Sequence, residues 1–391
     1  MELKAGYKQT EVGVIPEDWE ISSMNTIADI IDPQPDHRTP PETGNGEPYI
    51  GISDFIDDNS VDWIGCRKII PMAVHKQQTN FQLESGDIIF GKIGTIGSPK
   101  FVPITSFRYA LSANVILIKP KITSYFVMAW LKSNIVHKLI HQELHSTSQA
   151  AFGINKMKGL AVPVPPFPEQ TAIASALSDM DALLDGLDRL ITKKRNLKQA
   201  AMQQLLTGKT RLAGFEGEWE VKRLGDVCTM KSGAGITAEQ IDNHSTYPCY
   251  GGNGLRGFTT EFTHDGHYAL IGRQGALCGN VLGVSGKFFA SEHALVVTPF
   301  PEIDIHWLTF VMGRMNLNQY SESSAQPGLS AIKLLILDIT CPNTTEEQEA
   351  IAAVLADMDA EIAALEQRRT KTRDIKQGMM QELLTGKVRL I

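Results

Sequence analysis

The chain has 391 residues, a net charge of −7, 42% hydrophobic residues and 21% charged residues, which excludes disorder and collagen-like structure. That length accommodates two or more independently cored domains. No apolar run approaches the ~18 residues of a membrane span. Met1-Glu2-Leu3-Lys4-Ala5-Gly6-Tyr7-Lys8 has no apolar signal region, so the expectation is a cytoplasmic protein with no membrane contact. Cys66, Cys228, Cys249, Cys278 and Cys341 are odd in number, scattered and without a CxxC pair, which fits reduced thiols in a cytoplasm rather than disulfides or a cysteine zinc site.

Four segments follow in order: 1–168, 169–212, 213–346 and 347–391. The first has 15 basic and 17 acidic side chains and the third 8 and 14, a balance opposed to the basic footprint usual in nucleic-acid binders. Any positive surface must come from arrangement or from a partner. In the first segment, Val115-Ile116-Leu117-Ile118 reads as a strand and about 124–143 as a helix; Pro163, Pro165, Pro166 and Pro168 then mark the approach to a longer helix. That helix carries Ile173, Leu177, Met180, Leu184, Leu187 and Ile191 at alternating four- and three-residue steps, the seam of a coiled coil. Its pattern then shifts phase to Leu197, Ala201 and Leu205.

The third segment has strand-like Leu295-Val296-Val297 and a helix at about 303–319. Beyond Pro342 the long helix returns, with Ile351, Leu355, Met358, Ile362 and Leu365 in the seam and Arg369 where the first copy has Ile191. Glu169–Leu212 and Glu347–Leu390 align without a gap, with 25 of 44 positions identical; the chain is an internal repeat. Gly208 and Gly386 are the stop signals, and each helix of about 36 residues spans roughly 54 Å. A helix this long with one apolar stripe needs a partner. Chain order directs the two copies to pack antiparallel, with a globular domain at each end.

The globular segments repeat more faintly. Glu17-Asp18-Trp19-Glu20-Ile21 matches Gly217-Glu218-Trp219-Glu220-Val221, and Ile89-Phe90-Gly91-Lys92-Ile93-Gly94 matches Leu270-Ile271-Gly272-Arg273-Gln274-Gly275. Tyr109-Ala110 is set against Phe289-Ala290, and Ser148-Gln149 against Ala325-Gln326. Short β-branched runs, glycines and a helix in each half predict α+β domains. The fold class expected is therefore α+β: two domains joined by two long antiparallel helices, with an internal pseudo-two-fold repeat.

This order of domain, EQ…IA…L…D…LLTGK helix, domain and matching helix resembles the specificity subunit of type I restriction-modification systems. Thr10-Glu11-Val12-Gly13-Val14-Ile15-Pro16-Glu17-Asp18-Trp19 also resembles that family's opening. The resemblance covers essentially the whole chain. It implies two target-recognition domains, each reading half of a bipartite sequence in double-stranded DNA, with the helices fixing the gap. It implies two modification subunits as partners, which bind S-adenosylmethionine and methylate adenine, and restriction subunits that cut DNA. This chain would then be non-catalytic and bind no cofactor or metal.

Motifs for other chemistry are weak. Gly252-Asn253-Gly254-Leu255-Arg256-Gly257 fits GxGxxG, but strand-like Phe258-Thr259-Thr260-Glu261-Phe262 follows where a dinucleotide fold needs a helix. Gly208-Lys209-Thr210 resembles a P-loop ending, yet Gln203 stands where the first glycine belongs. His137, His141 and His145 share a helix face, without the glutamate after the first histidine that the zinc-protease form needs. His264 and His267 have no third ligand in sequence reach, and no (N/D/S)PP(Y/F/W) methyltransferase tetrapeptide occurs. A stand-alone methyltransferase and a coiled-coil scaffold remain as alternatives; methyl-donor binding by the chain, or partner binding without DNA preference, would favour each in turn.

For base reading the candidates are Lys92 and Arg273 on matching turns and Gln149 and Gln326 in matching polar stretches, because Arg and Lys suit guanine and Asn and Gln suit adenine. Arg256, Lys231, Lys100, Arg67 and Lys68 are candidates for phosphate contact, which positions without specifying.

Overall fold

Val115–Ile118 is apolar at every position and wholly buried, where a strand with one wet face would alternate. The computed structural model, which describes residues 5–145, 151–275, 277–321 and 328–390, supplies the reason. Ile116 and Ile118 face one core with Ile88 and Phe90. Val115 and Leu117 face another with Ile89 and Leu111. The second globular segment repeats the device: Leu295 and Val297 join Ala269 and Ile271 on one side, while Val296 joins Leu270 and Val284 on the other.

The chain divides into two units, residues 1–186 with 368–391, and residues 187–367. In the first, an antiparallel sheet runs in the order Ala28–Ile31, Val115–Pro120, Ile88–Gly91, Lys100–Phe101. Beside it, Arg67–Ile69, Glu42–Ile50 and Ala110–Leu111 form a three-stranded sheet. In the second unit one six-stranded sheet runs Cys228–Ser232, Ala294–Pro299, His264–Gly272, Val281–Ala290, Tyr247–Gly251, Gly254–Thr259. Each unit also pairs a strand from its start with one just before a long helix: Glu20–Ser23 with Ala161–Val164, and Glu220–Arg223 with Asp338–Cys341. The helix expected at 124–143 is two, Ser124–Leu131 and Asn134–His145. The other is Ile305–Arg314, N-capped by Asp304, whose carboxylate accepts from the Trp307 amide at 2.7 Å.

The hydrogen bonds correct one match read from sequence. In the first unit the Ser112 amide donates to Ile50; in the second the Ser291 amide donates to Tyr250, both at 2.8 Å. The equivalent of Tyr109-Ala110 is therefore Phe288-Phe289, one residue earlier than Phe289-Ala290. The apolar residues there favour no single register, so only the backbone fixes it.

The long helices are Phe167–Leu205 and Thr345–Leu383, 39 residues each. They run antiparallel wherever they meet within a unit. In the first, Asp181 meets Lys376 and Glu169 meets Arg389; in the second, Arg195 meets Glu366 at 2.5 Å and Lys198 meets Asp359 at 2.5 Å. Ile173, Leu177, Leu187, Ile191, Ile351, Leu355 and Ile362 are buried, while Met180, Leu184, Met358 and Leu365 are half-buried. Leu197 is not in the seam as expected: it is 47% exposed. The seam instead continues through the stems of Lys194 and Lys198, whose ammonium groups reach Glu361 and Asp359. Among the described residues no helix is long and apolar enough to cross a membrane.

The repeated ends of the two helices build corresponding arginine–glutamate clamps in the two units. Glu169 and Glu347 are buried. Arg389 grips Glu169 with two bonds, of 2.6 and 2.8 Å, and Asp18 with two more, of 2.9 and 2.8 Å, with its guanidinium over the Trp19 ring. Arg211 grips Glu347 with bonds of 2.5 and 2.7 Å and lies over Trp219. The following glutamines, Gln170 and Gln348, are buried too and accept from the amides of Thr123 and Asp304, the N-cap residues of the domain helices. The helix stop is a Schellman turn: Gly386, at φ +67°, donates to Leu383, and Lys387 donates to Glu382.

Candidate nucleic-acid interface

In the second unit four segments converge at one end of the six-stranded sheet: the end of Cys228–Ser232, the Gly251–Gly254 turn, Gly272–Gly275 and Ser291–His293. Glycine makes the convergence possible. A Cβ on Gly272 would lie 2.3 Å from the Gly252 carbonyl oxygen, and one on Gly252 would lie 2.9 Å from that of His293. The GxGxxG match thus reflects close backbone packing, and Gly254–Thr259 is a strand. Arg273 is anchored at its backbone, donating to His293 at 2.9 Å and accepting from Leu329 at 2.9 Å. Its half-exposed side chain donates to Ser232 Oγ at 2.6 Å. Gln274 Oε1 lies 3.1 Å from His293 Nδ1. Arg256 is exposed, its stem over Gly251. Lys231 is exposed, and strand alternation turns it to the opposite face from Ser232.

The first unit builds the same end with other side chains. Lys92 donates its amide to Asn114 at 2.8 Å and accepts from Phe152 at 2.9 Å, the slot that Arg273 fills. Ala151 bridges to Ile93 as Gly328 bridges to Gln274. Here the loops enclose a concavity of about 380 Å³ lined by Thr39, Ser53, Asp54, Arg67, Ser112 and Asn114, among others. Lys92 itself is buried, its ammonium 3.0 Å from Asp32. Arg67 pairs with Glu42 at 3.3 Å, both substantially exposed, and Lys68 is half-buried on the same strand.

Lys100 belongs elsewhere. It lines a cavity of about 250 Å³ with Tyr125, Asp181 and Lys376, paired with Asp58. Burial opposes ionisation of Asp58, but Lys100 and Lys132 hold its carboxyl down to about 2. Gln149 and Gln326 lie outside the described residues.

The remaining motifs are accounted for locally. Gly208-Lys209-Thr210 is the end of a helix, with Gly208 at φ +69°. His137 is half-buried, its pKa lowered by burial and by His141; the His145 side chain lies outside the described ones. His264 Nδ1 is 2.7 Å from Thr263 Oγ1, and His267 Nδ1 2.9 Å from Ser285 Oγ. Among the described residues no group of three or more His, Cys, Asp or Glu is placed to hold a metal. The five cysteines are buried and unpaired, and burial pushes the Cys228 thiol up to about 12 and Cys341 to about 11. Sequence reading missed Gln274, His293 and Asn114 at the loop ends, and Arg211 and Arg389 at the helix ends. The arginines had a signal: both lie inside the repeated LLTGK-x-RL.

The fold defines a tandem-repeat protein, two α+β units of one plan, each completed by segments of both long helices. Its sequence matches the type I restriction modification DNA specificity domain over residues 16–196 and again over 216–373. The chain belongs to that family. It is 47% identical over 148 residues to the type I restriction enzyme EcoprrI specificity subunit of Escherichia coli, 37% of either chain. It is 27% identical over 251 residues to the putative type I restriction enzyme MjaX specificity subunit of Methanocaldococcus jannaschii, 56% of this chain and 55% of that one. These matches span about a third to a half of the relatives' own length. The fold is similar to the crystal structure of a type I restriction-modification S subunit from M. genitalium, with TM-score 0.63, 16% identity and 98% of both chains covered. A structure described by the complex assembly and conformational transition of a type I system is also similar, with TM-score 0.57, 16% identity and coverage of 96% and 99%.

Proposed function

We propose that this chain is the DNA-binding specificity subunit of a type I restriction-modification complex. Each globular domain reads one half of a bipartite target, and the paired helices fix the spacing and dock two modification subunits. The chain performs no reaction. S-adenosylmethionine and adenine methylation belong to the modification subunits, cleavage to the restriction subunits, and the complex acts in the cytoplasm. The observation that carries this reading is the pair of loop ends, built on one backbone plan yet lined by different side chains. A duplicated frame with divergent tips suits two readers of unlike half-sites. Surface acidity is compatible with it if the modification subunits enclose the duplex and supply much of the phosphate neutralisation.

The test is the genome-wide adenine-methylation pattern of the source cell with and without the gene. Loss of one bipartite motif with a fixed internal gap is the expected result. No change in cells whose partner genes are active would overturn the reading.

A further inference from the structure

We infer that the second domain reads a guanine through Arg273, and that the matching Lys92 of the first domain reads nothing. The inference rests on the specificity-subunit reading and adds the base and the residue. Both residues occupy one backbone slot, donating to the residue before the next strand, His293 or Asn114, and accepting from Leu329 or Phe152. They differ in what faces them from the end of the strand two places away in the sheet. Lys92 faces Asp32; the two side chains are 7% and 16% exposed and 3.0 Å apart. That charge is already neutralised, and moving Lys92 toward a ligand would strand a largely buried carboxylate.

Arg273 faces Ser232 instead, and the hydroxyl accepts one of its five N–H bonds at 2.6 Å. Among the described residues no carboxylate pairs with it, and its side chain is partly open to solvent. The hydroxyl orients the guanidinium without cancelling its charge, and the Gly275 turn at φ +82° fixes the segment that carries it. A planar fork held in this way matches O6 and N7 of guanine in the major groove. Gln274 and His293, joined at 3.1 Å, and the exposed Arg256 border the same turn. The first domain offers instead a concavity of hydroxyls, Asn114, Asp54 and an Arg67 that is paired with Glu42 at 3.3 Å, with no free fork on the matching turn. The two half-sites are therefore read by different chemistry.

The experiment uses the complex assembled with its modification subunits, carrying wild-type chain, Arg273→Ala, Arg273→Lys or Lys92→Met, and reads the methylated motif by sequencing. Binding of a duplex with the wild-type motif is followed against salt. For Arg273→Ala the expected result is one G·C pair in one half-site becoming degenerate, with discrimination there falling roughly 5- to 150-fold, while the other half is unchanged. Arg273→Lys relaxes the same position, because an ammonium lacks the fork. Lys92→Met leaves the motif intact in the complex that assembles. An unaltered motif in Arg273→Ala overturns the guanine assignment alone. A uniform loss of affinity with a shallower salt dependence also overturns it, making Arg273 a phosphate contact. Relaxation of a base by Lys92→Met overturns the asymmetry. A wild-type complex that methylates no bipartite motif sinks the specificity-subunit reading and this inference with it.

Discussion

At the scale of single residues, the strongest constraints lie at the ends of the long helices. Glu169 is buried, and its carboxylate is satisfied by Arg389 and by the Trp19 indole N–H at 3.1 Å. A buried carboxylate deprived of its cation keeps its desolvation cost and loses what offsets it. Arg389→Ala should therefore destabilise the first unit by about 3–5 kcal/mol. Arg211→Ala should do the same to the second, where Arg211 donates two bonds to the Glu347 carboxylate. Arg389→Lys should recover little, because an ammonium cannot reproduce the two parallel bonds. Urea denaturation of the intact chain checks this; midpoints unchanged from wild type would show that the clamps contribute nothing.

At the scale of elements, heptad spacing made most of the helix pair legible, since the residues predicted for the seam are buried or half-buried, Leu197 excepted. Leu197 broke the pattern because an apolar periodicity cannot see a lysine stem serving as a core residue. Lys198 is an example, with 19% of its side chain exposed and its ammonium bound to Asp359. Leu187→Ala is accordingly expected to cost about 2–5 kcal/mol, and Leu197→Ala no more than about 0.5 kcal/mol, both read from thermal or denaturant melts. Equal losses would put the two leucines in equivalent environments. The loop ends were less legible for a similar reason. Pairing Lys92 with Arg273 by sequence found the right slot, but the residues that give those side chains different roles, Asp32 and Ser232, lie 60 and 41 positions away. The strand runs around them were legible because burial on both faces leaves an unbroken apolar stretch.

At the scale of the whole molecule, the last residues of the chain belong to the unit formed by the first. Leu383 and Leu384 are in one core with Trp19, Trp130, Ile173 and Leu177, and the Tyr7 hydroxyl donates to the Gly386 carbonyl at 3.0 Å. A Cβ on Gly386 would lie 2.5 Å from Pro16, so the two ends of the chain are packed to contact. The first unit is consequently incomplete until residues 368–390 have been made, whereas every residue of the second, 187–367, precedes them. Truncation after Leu383 removes Leu384, the stop turn and Arg389 together. It is expected to lower amide-exchange protection across residues 5–186 while leaving the core of 187–367 protected, because Leu205, Leu224, Trp307 and Leu355 form a cluster containing none of the deleted residues. Hydrogen exchange on the truncated and intact chains measures both regions at once. Protection lost equally in the two units would mean that they fold as one cooperative block.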